Sequence, residues 1–210
     1  MDENLPPGIK FQQNGGVDGK PQIILDGDFL PPVFRTQSYE VARDICRYVS
    51  RGLDHDPAPN QVCSIMRSLV DDTIKDRADM MSNLVRTLDP RQREELNLVR
   101  NIADQMFDDE QVNWGRIVTL HAFCGCLSRY CEQRHIPDCA EDIANILAHF
   151  VINRLGLWVV THGGWKGFER QFPAVTLWGG AGLWKGLFLV ALLIGALLAF
   201  YSSVRFISSG

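Results

Sequence analysis

The sequence predicts an all-α protein, a helical bundle around one hydrophobic central helix, with a C-terminal transmembrane tail helix. Three observations support this fold class. Apolar residues recur at helical spacing through most of the chain, and the segment from Trp114 to Glu132 is apolar on nearly every side. The last part of the chain holds a long run without charge. Between the hydrophobic runs we find no strand-like alternation and no hairpin dipeptide.

The composition indicates one domain with an appendage and argues against several classes of function. The chain has 210 residues, 46% of them hydrophobic, and a net charge of -4 without any Lys/Arg-rich run. A nucleic-acid-binding protein is therefore not expected. The acidic, polar start at residues 1–4 lacks the basic and apolar regions of a secretory signal peptide. We predict a disordered segment at 1–22, a helical bundle at 23–177, and a hinge with a membrane anchor at 178–210.

The helices of the bundle have recognisable boundaries as well as apolar faces. A turn-rich loop at 54–60 (DHDPAPN) follows the first helix, and Asp89-Pro90 starts the third with proline in its first position. Asn113 is the predicted N-cap of the central helix, and a glycine pair at 163–164 ends the helix after it. The predicted spans are about 34–51, 61–85, 90–107, 114–132, 138–162 and 165–172.

The C-terminal run from Gly186 to Val204 predicts a membrane anchor. It contains no charged residue, and as a helix it would span roughly 28 Å, close to the hydrocarbon thickness of a bilayer. Trp184 and Lys185 before it and Arg205 after it are typical of the membrane interface. The alternative, a buried core helix, would need other elements to cover all of its sides. We expect insertion after synthesis, with the bundle facing the cytosol.

Cysteine and histidine spacings indicate neither a metal site nor an enzyme. The segment 124–126 (CGC) is not a Cys-x-x-Cys pair, and the sequence has no His-x-x-x-His, phosphate-binding glycine loop or Gly-x-Ser-x-Gly. We therefore predict no catalytic residue, no metal and no cofactor. The expectation for the cysteines is buried free thiols in a reducing compartment; they lie at positions 46, 63, 124, 126, 131 and 139.

Arg116 stands out because it lies in the first turn of the central helix, where a cation opposes the helix dipole. That position costs roughly 0.3–1 kcal/mol, and Asp or Glu is preferred there. One interpretation is a solvated arginine that pairs with Asp108 or Asp109. The other is a free guanidinium at the rim of an apolar groove, which suits bidentate capture of a partner's carboxylate. A residue that goes against the charge preference of its helix position, with no compensating feature visible in the sequence, is typical of a functional site.

The residues around Arg116 resemble a family motif. The segment 113–116 (NWGR) is similar to the first homology motif of the Bcl-2 family of apoptosis regulators, and 158–168 (WVVTHGGWKGF) is similar to the second. The second motif is carried by Trp158, Trp165 and Phe168. The resemblance covers the chain from about Tyr39 to its end. The spacing of its motifs is most similar to the myeloid-cell-leukaemia pro-survival type.

This resemblance implies a bundle around a central hydrophobic helix hairpin, with a surface groove that binds an amphipathic helix of a partner. Arg116 would pair with an aspartate of that helix, Asn113 would hydrogen-bond the same region, and Gly115 would let the partner's backbone approach. Trp114 is expected to pack internally. The predicted walls and floor of the groove, for which ordinary core packing is the alternative, are Met81, Leu84, Ile102, Met106, Leu120 and Phe123.

The second predicted helix matches the third homology motif, through which family members can themselves act as ligands. The matching residues are Val62, Met66, Leu69 and Asp71. The chain departs from this motif at Val70, where a small residue is usual, and at Thr73, which takes the fourth apolar position. A branched side chain at a tight contact overpacks by roughly 1–3 kcal/mol. We therefore expect a structural helix rather than a ligand.

The resemblance implies a regulator of apoptosis whose partners are pro-apoptotic family members, with homo- or heterodimers within the family as a further expectation. A pro-survival role is favoured by Val70 and by the form of the second motif, Trp165-x-Gly-Phe168. The alternative is a Bak/Bok-like effector that oligomerises and permeabilises the outer mitochondrial membrane. A short loop after the first helix and the spacing within 61–88 favour it. The expected location is the outer mitochondrial membrane facing the cytosol, with the endoplasmic reticulum as a second membrane. A tail helix that lies in its own groove before insertion is a further implication.

Overall fold

The computed structural model describes residues 9–12, 22–25, 30–52, 56–87 and 96–173, and most of these residues are helical. The helices are α1 (Pro32–Arg51), α2 (Gln61–Asp76), α3 (Ala78–Thr87), α4 (Leu96–Met106), α5 (Trp114–Gln133), α6 (Cys139–Phe150), α7 (Gly156–Thr161) and α8 (Gly164–Gln171). A π-helical segment, Val151–Leu155, joins α6 to α7. The predicted all-α fold class is confirmed.

α5 is the centre of the bundle because its side chains are apolar or small on nearly every side. It contacts α1, α2, α3, α4 and α6, and every residue from Ile117 to Ser128 is buried. The two hydroxyl groups in this stretch are satisfied by the helix itself. Thr119 donates to the carbonyl oxygen of Gly115, and Ser128 donates to that of Cys124, each at 2.9 Å. α5 and α6, joined by a short turn, form the predicted central hairpin.

The second predicted helix, 61–85, is two helices in the structure. α2 ends at Asp76 and α3 begins at Ala78, because Arg77 between them has φ -127° and ψ 28°, outside the helical region. The apolar spacing continues across this break, and the Met81 N–H still donates to the Arg77 carbonyl oxygen at 2.9 Å. Periodicity alone therefore gave no sign of the break. The predicted helix start at Asp89 lies outside the described residues.

Two short strands precede the bundle. β1 (Ile9–Gln12) and β2 (Gln22–Leu25) pair in antiparallel register, with Ile9 opposite Leu25. The prediction of a disordered segment at 1–22 is therefore wrong for residues 9–12 and for Gln22, while the rest of that segment lies outside the described residues. The β1 sequence, IKFQ, alternates apolar and polar residues, which is the period of a strand. Because this alternation extends over only four residues, among glycines and prolines, it is a weak signal for a strand.

One helix in the described part of the chain, Cys139–Thr161, is long and apolar enough to cross a membrane. It comprises α6, the π-helical segment and α7, and more than half of its apolar window is buried inside the bundle. That degree of burial is what the core helix of a bundle shows. The predicted anchor, Gly186–Val204, and the hinge before it lie outside the described residues.

The six cysteines fall into two groups. Four are free and buried, as predicted, namely Cys46, Cys63, Cys124 and Cys126. Burial raises the pKa of the Cys46 and Cys63 thiols to about 12. Cys131 of α5 and Cys139 of α6 form a disulfide, with Cα atoms 6.1 Å apart. The prediction of free thiols is wrong for this pair, because the turn between α5 and α6 brings together two cysteines whose spacing matches no motif.

Candidate partner-binding site

Asn113 places Arg116 in the first turn of α5. Asn113 is the N-cap, with φ -153° and ψ 162°, and its side-chain oxygen accepts a hydrogen bond from the Arg116 N–H at 2.9 Å. The N-cap prediction is confirmed. The Arg116 side chain turns into the protein and is 6% exposed, and Gly115 beside it is half-buried.

The terminal nitrogens of Arg116 bind the segment between α4 and α5. Nη1 and Nη2 donate to the two carboxylate oxygens of Asp109, with an Nη2–Oδ2 distance of 2.7 Å. Nη1 also donates to the carbonyl oxygens of Met106, at 3.2 Å, and Gln111, at 2.8 Å. The interpretation of Arg116 as a free guanidinium is therefore wrong. The pairing with Asp109 was the alternative, but the arginine is buried rather than solvated, and the carboxylate offsets its repulsion by the helix dipole.

The two partners of this ion pair differ in exposure. Asp109 lies in a turn with its side chain 40% exposed, whereas the Arg116 side chain is almost covered. The hydrogen bond from Arg116 lowers the pKa of Asp109 below its usual value, so this carboxylate is charged at neutral pH. Arg116 Nε is buried and has no hydrogen-bond partner among the described residues. The site therefore holds a carboxylate at its open side and an unused donor beneath it.

The residues predicted to form the groove are buried in the protein. Met81, Leu84, Met106, Leu120 and Phe123 are at most 8% exposed, and Ile102 is half-buried. Leu120 and Phe123 follow Arg116 by four and seven residues, so the three share one face of α5. A partner helix reaches this face only if the groups that now cover it move. The role of these residues in partner binding stays a prediction.

α2, which carries the chain's own third homology motif, is packed into the core. Val62, Met66 and Leu69 are buried, and so are Val70 and Thr73, the two positions that depart from the motif. The Thr73 hydroxyl donates to the Leu69 carbonyl oxygen at 2.7 Å, which satisfies this polar group inside the helix. The motif residues of α2 thus serve the hydrophobic core of the bundle.

Polar contacts also fasten α2 to α1. Asp71, the acidic residue of the motif, is exposed and accepts a hydrogen bond from the Tyr48 hydroxyl at 2.5 Å. Arg67 forms a bidentate ion pair with Asp44 of α1, with N–O distances of 2.6 and 2.9 Å. It also donates to the Asp56 carbonyl oxygen at 2.7 Å and lies 4.6 Å from the centre of the Tyr48 ring. Exposing the motif requires breaking these contacts.

The second-motif residues pack against the start of α5. The Trp114 ring centre lies 5.1 Å from that of Trp158, 6.1 Å from that of Trp165 and 5.3 Å from that of Phe168. The buried Trp165 indole N–H donates to the Ser38 hydroxyl of α1 at 3.0 Å. The prediction that Trp114 packs internally is confirmed. The first and second motifs therefore meet in one aromatic cluster, which fixes the end of α5 where Arg116 lies.

His121, predicted from the sequence as a satisfied residue of the bundle, is buried, but its Nε2 has no hydrogen-bond partner among the described residues. His121 is fully buried, its Nδ1 bonds to the Ile117 carbonyl oxygen at 2.8 Å, and burial lowers its pKa to about 4. At the far end of α5, Arg86, Arg129 and Arg134 line a cavity of about 300 Å³ between α3 and α5. Helical periodicity gives no signal for this cavity, which was missing from the sequence prediction, because it depends on which neighbours pack against α5.

Comparison with known proteins finds one family model and several similar relatives. Residues 66–165 match the family model of the Bcl-2 apoptosis regulator proteins. Bcl-2-related protein A1 of Bos taurus is 29% identical over 146 residues, covering 66% of this chain and 82% of the relative. Anti-apoptotic protein NR13 of Coturnix japonica is 34% identical over 80 residues, covering 38% of this chain and less than half, 45%, of the relative. Apoptosis regulator BAX of Mus musculus is 24% identical over 164 residues, covering 78% of this chain and 83% of the relative.

A solved structure has the same fold. It is a complex of the zebrafish pro-survival protein NRZ with Bad BH3, with a TM-score of 0.63 and 24% identity, and the match covers 67% of this chain and 95% of that chain. Residues 66–165 of the chain therefore match the Bcl-2 family of apoptosis regulators, and the described helices have the fold of the zebrafish protein. Members of this family are regulatory binding proteins rather than enzymes, so the site around Arg116 is considered for binding and not for catalysis.

Proposed function

We propose that this chain is a pro-survival regulator that sequesters the amphipathic death-motif helix of pro-apoptotic family members in the groove beside α3, α4 and α5. The observation that carries the proposal is the Arg116–Asp109 pair. A bidentate carboxylate site lies at one end of an apolar face that contains Leu120 and Phe123. An amphipathic helix with an aspartate after its apolar anchors requires this combination.

Binding then proceeds as an exchange of carboxylates. The partner's aspartate replaces Asp109 on the Arg116 guanidinium, and Asp109, which is already 40% exposed, turns into solvent. Because one carboxylate replaces another, the buried guanidinium is never left without a counter-ion, which would be costly. The apolar anchors supply the net affinity, which is the free energy of their burial less the cost of moving the groups that now cover the face.

Two findings favour protection over permeabilisation. The relative NR13 is named anti-apoptotic, and the similar solved structure is of a pro-survival protein bound to a Bad BH3 segment. In this chain α2 is held by the buried Arg67–Asp44 pair and places Val70 and Thr73 in the core, which opposes the release of α2 as a ligand. The alternative is an effector, and the match to BAX over most of its length favours it.

Calorimetric titration of a death-motif peptide into the full-length chain in detergent tests the site. Arg116→Ala should weaken binding by roughly 2–5 kcal/mol, because a desolvated charge pair is lost. A peptide without its aspartate should lose a similar amount against the unchanged protein, and combining both changes should cost little more. Arg154→Ala, at an exposed arginine of the π-helical segment, is the control. Equal affinity of Arg116→Ala and the unchanged chain would sink the assignment.

Dye-loaded vesicles challenged with an activated effector decide between protection and killing. Under the proposal, adding this chain lowers leakage, and Arg116→Ala removes that protection. Leakage caused by the chain alone, or by the chain with a death-motif peptide, would identify an effector instead.

The proposed location is the outer mitochondrial membrane, with the endoplasmic reticulum as a second membrane, and the anchor is the run Gly186–Val204. Leu193→Arg places a charge at the middle of this run, which costs about 2.5–3.5 kcal/mol for insertion, and should shift the protein to the soluble fraction. Leu193→Val is the matched control. Equal membrane fractions of the two variants would contradict the anchor.

A further inference from the structure

Far from Arg116, at the other end of α5, three arginines that the structure describes lie around one cavity. Arg86 of α3, Arg129 of α5 and Arg134 at the end of α5 line one side of a cavity of about 300 Å³. Its apolar residues include Met81, Val85 and Tyr130. No acidic residue among those the structure describes lines it, although the chain as a whole has a net charge of -4.

Each of the three guanidiniums has only an uncharged neighbour among the described residues. Arg86 Nη2 donates to the side-chain oxygen of the asparagine three residues earlier at 2.7 Å. Arg129 Nη2 contacts the Cys126 sulfur at 3.7 Å, and the Arg134 guanidinium lies 4.8 Å from the centre of the Tyr130 ring. These contacts orient the arginines, and within the described part of the chain none of the three forms an ion pair. Three forked cationic donors around one cavity suit a carboxylate ligand.

This cavity lies at a defined distance from the Arg116 site. Met81, a predicted wall residue of the groove, also lines the cavity, which places the cavity next to the predicted groove. Tyr130 follows Arg116 by fourteen residues of α5, which corresponds to about 21 Å along the helix. Fourteen residues are close to four turns, so Tyr130 lies near the face that carries Arg116 and Phe123.

We propose that the cavity selects partner helices that carry carboxylates about fourteen residues before the aspartate bound by Arg116. This inference rests on the proposed function of the groove. A partner helix beside α5 rises by the same distance per residue, so the separation of the two sites converts directly into sequence spacing. In the chain's own motif the first apolar anchor, Val62, precedes Asp71 by nine residues. The carboxylates therefore lie little more than one turn before the partner's first anchor.

Two further considerations favour this arrangement. Three of the motif's four apolar positions precede its aspartate, so a partner whose anchors lie along α5 toward the cavity has its amino end there. Carboxylates in the first turn of a helix also interact favourably with its own dipole. The same groups thus stabilise the partner helix and its complex with the arginines.

The test uses two death-motif peptides that differ only at two adjacent positions, about fourteen residues before the aspartate. One peptide carries a pair of glutamates there and the other a pair of glutamines. Fluorescence anisotropy with the full-length chain at low salt should give about fivefold tighter binding of the glutamate peptide. The preference should largely disappear at about 0.5 M salt, because exposed charges are then screened.

A triple variant, Arg86→Gln, Arg129→Gln and Arg134→Gln, should remove the preference and leave the affinity for the glutamine peptide unchanged. The matched control removes three positive charges elsewhere, with Arg51→Gln, Lys75→Gln and Arg154→Gln, and should keep the preference. If both peptides bind equally to the unchanged chain while Arg116→Ala weakens both, the inference fails and the proposed function stands. If the control triple variant also loses the preference, net charge rather than the cavity explains it, which overturns the inference. If neither peptide binds, the proposed function fails and this inference with it.

Discussion

Two bidentate arginine–aspartate pairs in this protein differ in one respect that decides their roles. Arg67 and Asp44 join α2 to α1, with side chains 12% and 6% exposed. Arg116 and Asp109 join α5 to the turn before it, with side chains 6% and 40% exposed. The first pair buries both charges between two packed helices. The second buries the cation and leaves the carboxylate open to solvent.

The exposure of the carboxylate determines whether such a pair is fixed or exchangeable. Removing one partner of a fully buried pair leaves a charge that neither water nor protein compensates, and this is costly. An exposed carboxylate can return to water, and another carboxylate can take its place on the same guanidinium. We therefore regard Arg67–Asp44 as a structural link, while the exposed carboxylate of Arg116–Asp109 fits the recognition site that we propose there.

The largest expected effect is on the structural pair. Asp44→Asn should lower the free energy of unfolding by about 3–5 kcal/mol, because it leaves Arg67 buried without its counter-ion. Urea denaturation followed by circular dichroism measures this change. The control, Asp104→Asn at an exposed carboxylate of α4, should stay within about 0.5 kcal/mol of the unchanged protein. Equal stability of the two variants would remove the distinction between the pairs.

His121 extends the comparison to a buried group that has no charged partner. Its pKa is lowered to about 4 by burial, so below about pH 6.5 the unfolded chain takes up a proton that the folded chain does not. Stability should therefore fall as the pH falls from about 6.5 to 4, by up to about 1.4 kcal/mol per pH unit. His121→Leu should flatten this part of the stability curve.

Ser128→Ala is the control for His121, since it changes a buried hydroxyl of α5 that does not titrate. Its stability curve should be lower at every pH but parallel to that of the unchanged chain. The Asp109 pKa is lowered by Arg116, so the contribution of that carboxylate is lost only as the pH falls through its depressed value. If the stability of the His121→Leu variant still falls between pH 6.5 and 4, another group causes the loss of stability in acid.

The hydrogen bond from the Trp165 indole to the Ser38 hydroxyl is a buried polar contact without charge, and it can be compared with the two ion pairs. Ser38→Ala should cost about 1–3 kcal/mol, because the buried indole N–H is left without an acceptor. Thermal unfolding measures the loss. Ser50→Ala, at an exposed hydroxyl of the same helix, should change stability far less. A loss at Ser38 as large as that of Asp44→Asn would mean that charge is not what distinguishes the structural pair.

The smallest expected effect is on the exchangeable pair. Asp109→Asn removes the internal competitor for Arg116 and should tighten binding of a death-motif peptide by about tenfold. The neighbouring Asp108→Asn, at an exposed carboxylate, is the matched control and should leave affinity unchanged. Calorimetry measures both. Weaker binding by Asp109→Asn would show that Asp109 helps to recruit the partner and does not compete with it.

Much of the fold could be predicted because it depends on local pattern. The apolar run of α5 and its N-cap at Asn113 follow from helical periodicity and capping preference, the internal role of Trp114 follows from the family resemblance, and the structure confirms all three. The break at Arg77 was missed because the apolar spacing runs on through it. The strand β1 was missed because four residues carry little periodic signal.

The candidate site likewise has a part that the sequence predicts and a part that only the tertiary structure decides. The sequence by itself identified Arg116 as a residue against local preference and placed it in a family motif, since both depend only on neighbours in the chain. Only the tertiary structure decided that its guanidinium holds Asp109, because that carboxylate comes from a turn whose position depends on how α4 meets α5. The arginines that line the cavity at the far end of α5 come from two separate helices. Their common cavity exists only once α3 is packed on α5.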